Sequence, residues 1–256
     1  FATVGERQVH YRRAGHGPPV ILLHEAPLSS LGFEPLMREL APHCTVIAPD
    51  TPGNGLSEPL GIAQPTMTEF AEGLAALLDE LCIARCVVYG YHSGAQCALE
   101  FALRHPQRVA RLMINGYLAL DEALRQDIVA NYFAPLSVDW SGSHLTWLWS
   151  RMREQWDFFP WYRKALAFRP PFEPPSPAAL HQSVLEMLAA GDAYRDSYRA
   201  AFQYDTAAAV QQLTVPTLVT TPRDDILFPG LATMPPTPAC VRVRPADDLA
   251  HAERML

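Results

Sequence analysis

The chain has 256 residues, of which 49% are hydrophobic and 18% charged, the composition of a globular protein with a sizeable core. Its formal net charge of −7 argues against nucleic acid or an anionic membrane surface as a partner. No apolar run approaches the ~18 residues that cross a bilayer, and the length suits one α/β domain with an insertion.

The elements follow in chain order. Arg7 to Arg12 alternates polar and apolar residues, as a half-exposed strand does, and Gly15 to Pro18 is a turn. Pro19 to Leu23 is a short buried strand that stops at His24-Glu25-Ala26-Pro27. A helix over roughly Phe33 to Leu40 leads to a second buried strand, Cys44 to Ala48, which ends in the turn-forming loop Asp50 to Ser57. Thr66 or Thr68 is placed to cap a helix that runs to about Leu81, with Leu74, Leu77, Leu78 and Leu81 on one face. Further strands are predicted at Cys86 to Tyr89 and Val109 to Ile114, with a helix between them. This alternation implies a mainly parallel sheet with helices on both faces.

The rhythm breaks from about Asp121 to Asp205, where no strand signal remains. Helix-like segments flank a proline cluster, Arg169 to Pro177, the one plausible hinge, and all five tryptophans fall here. We read 121–205 as a helical cap inserted into a core formed by 1–120 and 206–256. The sheet resumes at Val215 to Val219, with Val241 to Val243 as its last strand. Large aromatic side chains hold such a cap in place, and some should face the cleft below, with Trp147, Trp156 and Trp161 as pocket candidates. Arg151 and Arg153 lie in the same region and could bind a substrate carboxylate, but such arginines are more often solvated, and solvated side chains are expected.

The chemistry centres on Gly90-Tyr91-His92-Ser93-Gly94. A strand runs into small residues and then into an apolar-periodic helix, with glycines spaced for a very tight turn around one exposed residue. That spacing puts His92 at the summit. Centring Ser93 instead would place Tyr91 and Ala95 where the smallest residues must pack.

With Gly90 to Gly94, three further motifs in order carry a resemblance to the α/β-hydrolase fold family. His24-Glu25-Ala26-Pro27 resembles the family's oxyanion loop, and Asp50-x-x-Gly53-x-Gly55-x-Ser57 fits the loop after the next strand. Pro222 to Pro229 resembles the loop bearing the catalytic acid, where the spacing to Pro229 selects Asp225 over Asp224. His251 follows the last strand and completes the order of elbow residue, acid and histidine.

The resemblance implies an α/β-hydrolase fold and an active site of His92, Asp225 and His251, with the backbone N–H groups of Ala26 and Ser93 as oxyanion donors. His24 and Glu25 are accessory candidates, His24 as a structural hydrogen-bonder behind the loop. Two departures stand out: His92 replaces the usual Ser, Cys or Asp, and Glu25 stands where a glycine is usual. A neutral imidazole at pH 7 can act as nucleophile or base. Three routes stay open: attack by His92 to give an acyl-imidazole, activation of water by a His92–His251 pair, or entry of the Ser93 hydroxyl. The implied reaction is hydrolysis of a small, largely hydrophobic ester, thioester or lactone. The alternatives are a cofactor-free lyase or C–C bond hydrolase, and a ligand-binding homologue without turnover.

No cofactor is implied, and the spacing of His24, Glu25, His92, Asp225 and His251 is not a metal signature. The partner is a small-molecule substrate; the sequence leaves a homodimer open. Cys44, Cys82, Cys86, Cys97 and Cys240 lie mostly in apolar patterns, which predicts small buried side chains in a reducing, cytoplasmic compartment. The chain stops five residues past His251, where the resemblance implies a closing helix.

Overall fold

A computed structural model describes residues 1–170 and 173–256, so Pro171 and Phe172 of the proline cluster lie outside the described residues. A hairpin of β1 (Ala2–Val4) and β2 (Arg7–Val9) precedes β3 (Tyr11–Ala14), β4 (Pro19–Leu23), α1 (Glu34–Leu40) and β5 (Thr45–Pro49). Then come α2 (Met67–Glu80), β6 (Cys86–Tyr91), α3 (Ser93–Arg104) and β7 (Val109–Asn115). Between β7 and the next strand the described residues form helices but no strand: α4 (Glu122–Asn131), α5 (Ser143–Asp157), α6 (Pro177–Ala190), α7 (Tyr194–Gln203) and α8 (Thr206–Gln211). The chain closes with β8 (Thr217–Thr220), β9 (Val241–Val243) and α9 (Leu249–Glu253).

Seven strands form one sheet in the order β3-β5-β4-β6-β7-β8-β9, parallel throughout except for β3. Val20 to Leu23 and all of β5 are buried, the continuous apolar run expected of strands covered on both faces. From β4 the chain steps outward to β5, then crosses back over β4 to β6 and continues the other way. The order therefore reverses between β4 and β6. In parallel sheets the crevice beyond the strand ends at such a reversal is where ligands bind. Here the residues leaving those two ends are His24-Glu25-Ala26 and His92.

The single strand predicted over Arg7 to Arg12 is divided at His10. Its Nδ1 shares a 2.8 Å hydrogen bond with Asp50 Oδ2 and its N–H donates to Ser57 Oγ at 2.9 Å. The loop after β5 thus pulls that residue out of the ladder. Of the two cap candidates for α2, Thr66 serves: its hydroxyl and the Glu69 carboxylate form a reciprocal capping box.

The helices between β7 and β8 pack around their own cluster, which includes Ile128, Tyr132, Leu148, Met187, Tyr194 and Phe202. Arg151 packs against it and is only 1% exposed, contrary to the expectation of a solvated side chain. Its guanidinium lies 5.0 Å from the Tyr132 ring centre and 4.6 Å from that of Trp161, and one N–H reaches Gln155 Oε1 at 2.8 Å. Among the described residues no helix is long and apolar enough to cross a membrane.

Candidate active site

The elbow is built by two glycines that tolerate no side chain. A Cβ on Gly90 would stand 2.4 Å from the Gly94 carbonyl oxygen, and one on Gly94 would stand 2.1 Å from that of Leu23. With both absent, β6 turns into α3 through a single residue, His92, at φ 47° and ψ −118°. This conformation is costly for a residue with a side chain, and it is held by packing and by the His92 N–H, which donates to Asn115 O at 2.8 Å.

The imidazole leaves the summit across Gly116, the residue after β7, whose φ is +94°. A Cβ there would stand 2.6 Å from His92 Cδ2, so the bare glycine backbone is the floor under the ring. Beyond it, His92 Nε2 meets Asp225 Oδ2 at 2.7 Å. Asp225 lies in the loop after β8, and its other oxygen accepts the Leu227 N–H at 2.8 Å.

Burial disfavours the imidazolium at His92, but the Asp225 carboxylate and its hydrogen bond, with Glu25 adding to them, outweigh that and raise the pKa above the ordinary imidazole value. Burial likewise disfavours ionised Asp225, yet His92 and the Leu227 N–H hold its carboxyl below the usual range. The ionised Asp225 accepts the Nε2 proton. Nδ1, with its lone pair, has no hydrogen bond among the described residues and is left for a ligand.

The loop after β4 is fixed by His24, which is buried. Its Nδ1–H donates to Glu25 O at 2.9 Å and its Nε2 accepts the Thr51 N–H at 2.9 Å. This imidazole is occupied on both sides. The Ala26 N–H, expected as an open oxyanion donor, instead donates to Ser93 Oγ at 2.6 Å. The serine hydroxyl therefore sits where an oxyanion would bind, with its own proton free to be donated onward. The Ser93 N–H lies in the first turn of α3, where a helix supplies no acceptor. Glu25 is half-buried, and burial, only partly opposed by its own N–H and by His92, pushes its pKa up to about 7.

His251 is not brought to this pair. Its Nδ1 shares a 3.0 Å hydrogen bond with Asp247 Oδ2, and its N–H donates to Asp248 Oδ1 at 2.7 Å in the cap of α9. The carboxylate expected to orient it is taken by His92. Leu249, two residues earlier, does line the cavity in front of His92.

That cavity measures about 560 Å³ and is walled by Trp156, Phe159, Tyr198, Phe202, Ile226 and Leu249 around Glu25, His92 and Asp225. Of the three tryptophan candidates only Trp156 reaches it. Trp161 packs edge-on against Trp147 and donates its indole N–H to Tyr132 O at 3.1 Å, inside the helical cluster. Sequence reasoning missed Gly116, Tyr198 and Phe202. An Asn-Gly pair closing a strand and two aromatics four residues apart on α7 were the available signals. Among the described residues no three His, Cys, Asp or Glu side chains are grouped to hold a metal ion.

Residues 18–234 match the alpha/beta hydrolase fold family, and the chain belongs to it. It is 28% identical over 148 residues to a 2-hydroxy-6-oxo-6-phenylhexa-2,4-dienoate hydrolase of Comamonas testosteroni, covering 54% of this chain and 49% of that one. It is 30% identical over 114 residues to a pimeloyl-[acyl-carrier protein] methyl ester esterase of Nitrosospira multiformis, covering 44% and 43%. The chain thus spans a third to a half of the length of the curated relatives it matches. The enol-lactonase of Burkholderia xenovorans LB400 shares the fold with a TM-score of 0.71 at 20% identity, over 99% of this chain and 93% of that one.

Proposed function

We propose that this protein is a hydrolase of small, largely hydrophobic esters, thioesters or lactones whose working centre is the His92–Asp225 pair. In this reading the helices of 121–205 form a lid over a core of 1–120 and 206–256. The observation that carries it is the 2.7 Å bond between His92 Nε2 and Asp225 Oδ2, which leaves Nδ1 without a partner among the described residues on a ring that lines the aromatic-walled cavity. One imidazole at the elbow thereby reaches the carboxylate that a second histidine would otherwise have to bridge. His251, engaged by Asp247, has no part in it.

Two routes follow from that geometry. Nδ1 attacks the carbonyl carbon to give an acyl-imidazole, which water clears, or Nδ1 takes a proton from water as the water attacks. In either route the developing oxyanion accepts from the Ser93 N–H and from the Ser93 hydroxyl, which the Ala26 N–H polarises. The relative named as a methyl ester esterase supports acyl chemistry. A second reading, C–C bond cleavage, is favoured by the Comamonas relative named as a dienoate hydrolase.

Aryl esters of short fatty acids, assayed with wild type, His92→Ala and Ser93→Ala, test the proposal. We expect His92→Ala to lose activity by ~100-fold or more and Ser93→Ala to lose less, because the Ala26 N–H that it frees takes the place of the hydroxyl as donor. Loss confined to Ser93→Ala would make the serine the nucleophile and overturn the reading. Tight binding of apolar ligands without turnover in wild type would make the protein a binding module.

A further inference from the structure

Acyl hydrolysis by His92 and Asp225 leaves the carboxyl of Glu25, which lines the same cavity, without a task. The loop that carries it is locked on both sides. His24 is hydrogen-bonded through both ring nitrogens, and Ala26 is tied to Ser93 Oγ. A Cβ on Gly94 would stand 2.7 Å from the His24 carbonyl oxygen, so α3 leaves the loop no room to slide. Glu25 lines the same cavity as the free face of His92, and its carboxyl makes no hydrogen bond to another described residue. Its charged surroundings are His92, Asp225, Glu186 of α6 and the cavity-lining Asp224 and Glu173. Four of these five are acidic, and Glu186 is held in place by the Ser29 hydroxyl at 2.6 Å. Burial, seconded by Glu186 and Asp225, keeps Glu25 substantially protonated up to about pH 7, although its own N–H and His92 pull the other way.

A base and an acid carried on locked backbone into one aromatic-walled cavity are what proton shuffling at a carbonyl needs. We infer that Glu25 and His92 form an acid–base couple across the cavity, and that the site enolises small hydrophobic ketones, an activity beyond acyl hydrolysis. His92 Nδ1 takes the proton from the carbon next to the carbonyl. The C–H pair becomes the new C=C bond, the carbonyl π pair moves to oxygen, and that oxygen takes the proton of Glu25. The products are an enol, an imidazolium facing Asp225, and a Glu25 carboxylate. The reverse step restores the ketone, and exchange of the Nδ1 proton with solvent in between labels the carbon. No oxidant, metal or second substrate enters. The inference rests on the same His92–Asp225 pair as the hydrolytic reading and adds Glu25, which that reading does not use.

The probe is 1-phenylpropan-2-one, a ketone with no leaving group, so hydrolysis cannot contribute. Its benzylic protons are followed by proton NMR in deuterated buffer with the full chain. We expect enzyme-dependent, saturable exchange, lowered ~100-fold in Glu25→Gln and partly retained in Glu25→Asp. In wild type the rate falls above about pH 7 as Glu25 ionises, and falls on the acid side as His92 is protonated. Glu25→Gln loses the alkaline fall. Exchange in wild type no faster than in buffer overturns the inference, as does a Glu25→Gln rate equal to wild type with circular dichroism unchanged. If Glu25→Gln fails to fold, the wild-type profile decides, and a rate that keeps rising through pH 8 overturns it. Ester hydrolysis by a protein that fails to exchange the ketone would leave the acyl reading standing alone.

Discussion

Gly116 and His92 are shaped to one another: the ring lies so close to the glycine that a Cβ at 116 would stand 2.6 Å from its Cδ2. Gly116→Ala adds that atom at a φ of +94°, where a side chain is strained in any case. We expect the ring to lift away from Asp225 and kcat/KM for an aryl ester to fall ~10–100-fold, with a loss of stability of about 1–3 kcal/mol. Steady-state assays and thermal melts check both. Undiminished activity would show that the ring does not need this seat.

The pair also makes stability depend on pH. His92 has a raised pKa when folded, so its contribution is fully present below the unfolded value of ~6.5 and is lost as pH rises through the folded one. Asp225 has a lowered pKa when folded. Its contribution is present above the unfolded value of ~3.9 and is lost as pH falls through the folded one. The Tm advantage of wild type over Asp225→Asn should therefore be greatest between about pH 4 and 6.5 and shrink towards pH 9. A difference that grows with alkaline pH would contradict this.

The tryptophans separate binding from stability. Trp156 walls the cavity, whereas Trp161 packs against Arg151, Tyr132 and Trp147. Trp156→Ala should raise KM for bulky acyl groups several-fold. Trp161→Ala should cost on the order of 2–3 kcal/mol in a denaturant melt, below the ~3–5 of a wholly buried aromatic. Phe at 161 should recover part of it.

His251 is the sharpest divide between motif and geometry. Held by Asp247 and Asp248, it should tolerate Ala with kcat/KM within ~3-fold of wild type, as substitutions away from a site usually do. A ~100-fold loss would mean that His251 leaves Asp247 during turnover.

Much of this was legible in the residues alone. Buried strands such as Pro19 to Leu23 and Cys44 to Ala48, alternating with helices, gave the parallel sheet, and the spacing of Gly90 and Gly94 fixed the register of the elbow because each glycine abuts backbone. The directions of side chains were not legible. Whether Asp225 turns to residue 92 or to residue 251 depends on Gly116, which comes from another strand, and on a helix cap at Asp248. Arg151 was misread for a related reason: its burial follows from Tyr132 and Trp161, brought to it from separate segments of the helical region. Local pattern carries backbone geometry, and the choice among partners is made only when distant strands meet.

The central claim is that His92 donates Nε2–H to Asp225 and keeps Nδ1 open, and nitrogen-15 NMR of histidine-labelled protein across pH tests it most directly. The account requires the Nε2–H tautomer, a midpoint above ~6.5, and a drop in that midpoint in Asp225→Asn. A proton resident on Nδ1, or a midpoint below ~6.5 that ignores the Asn substitution, would contradict it.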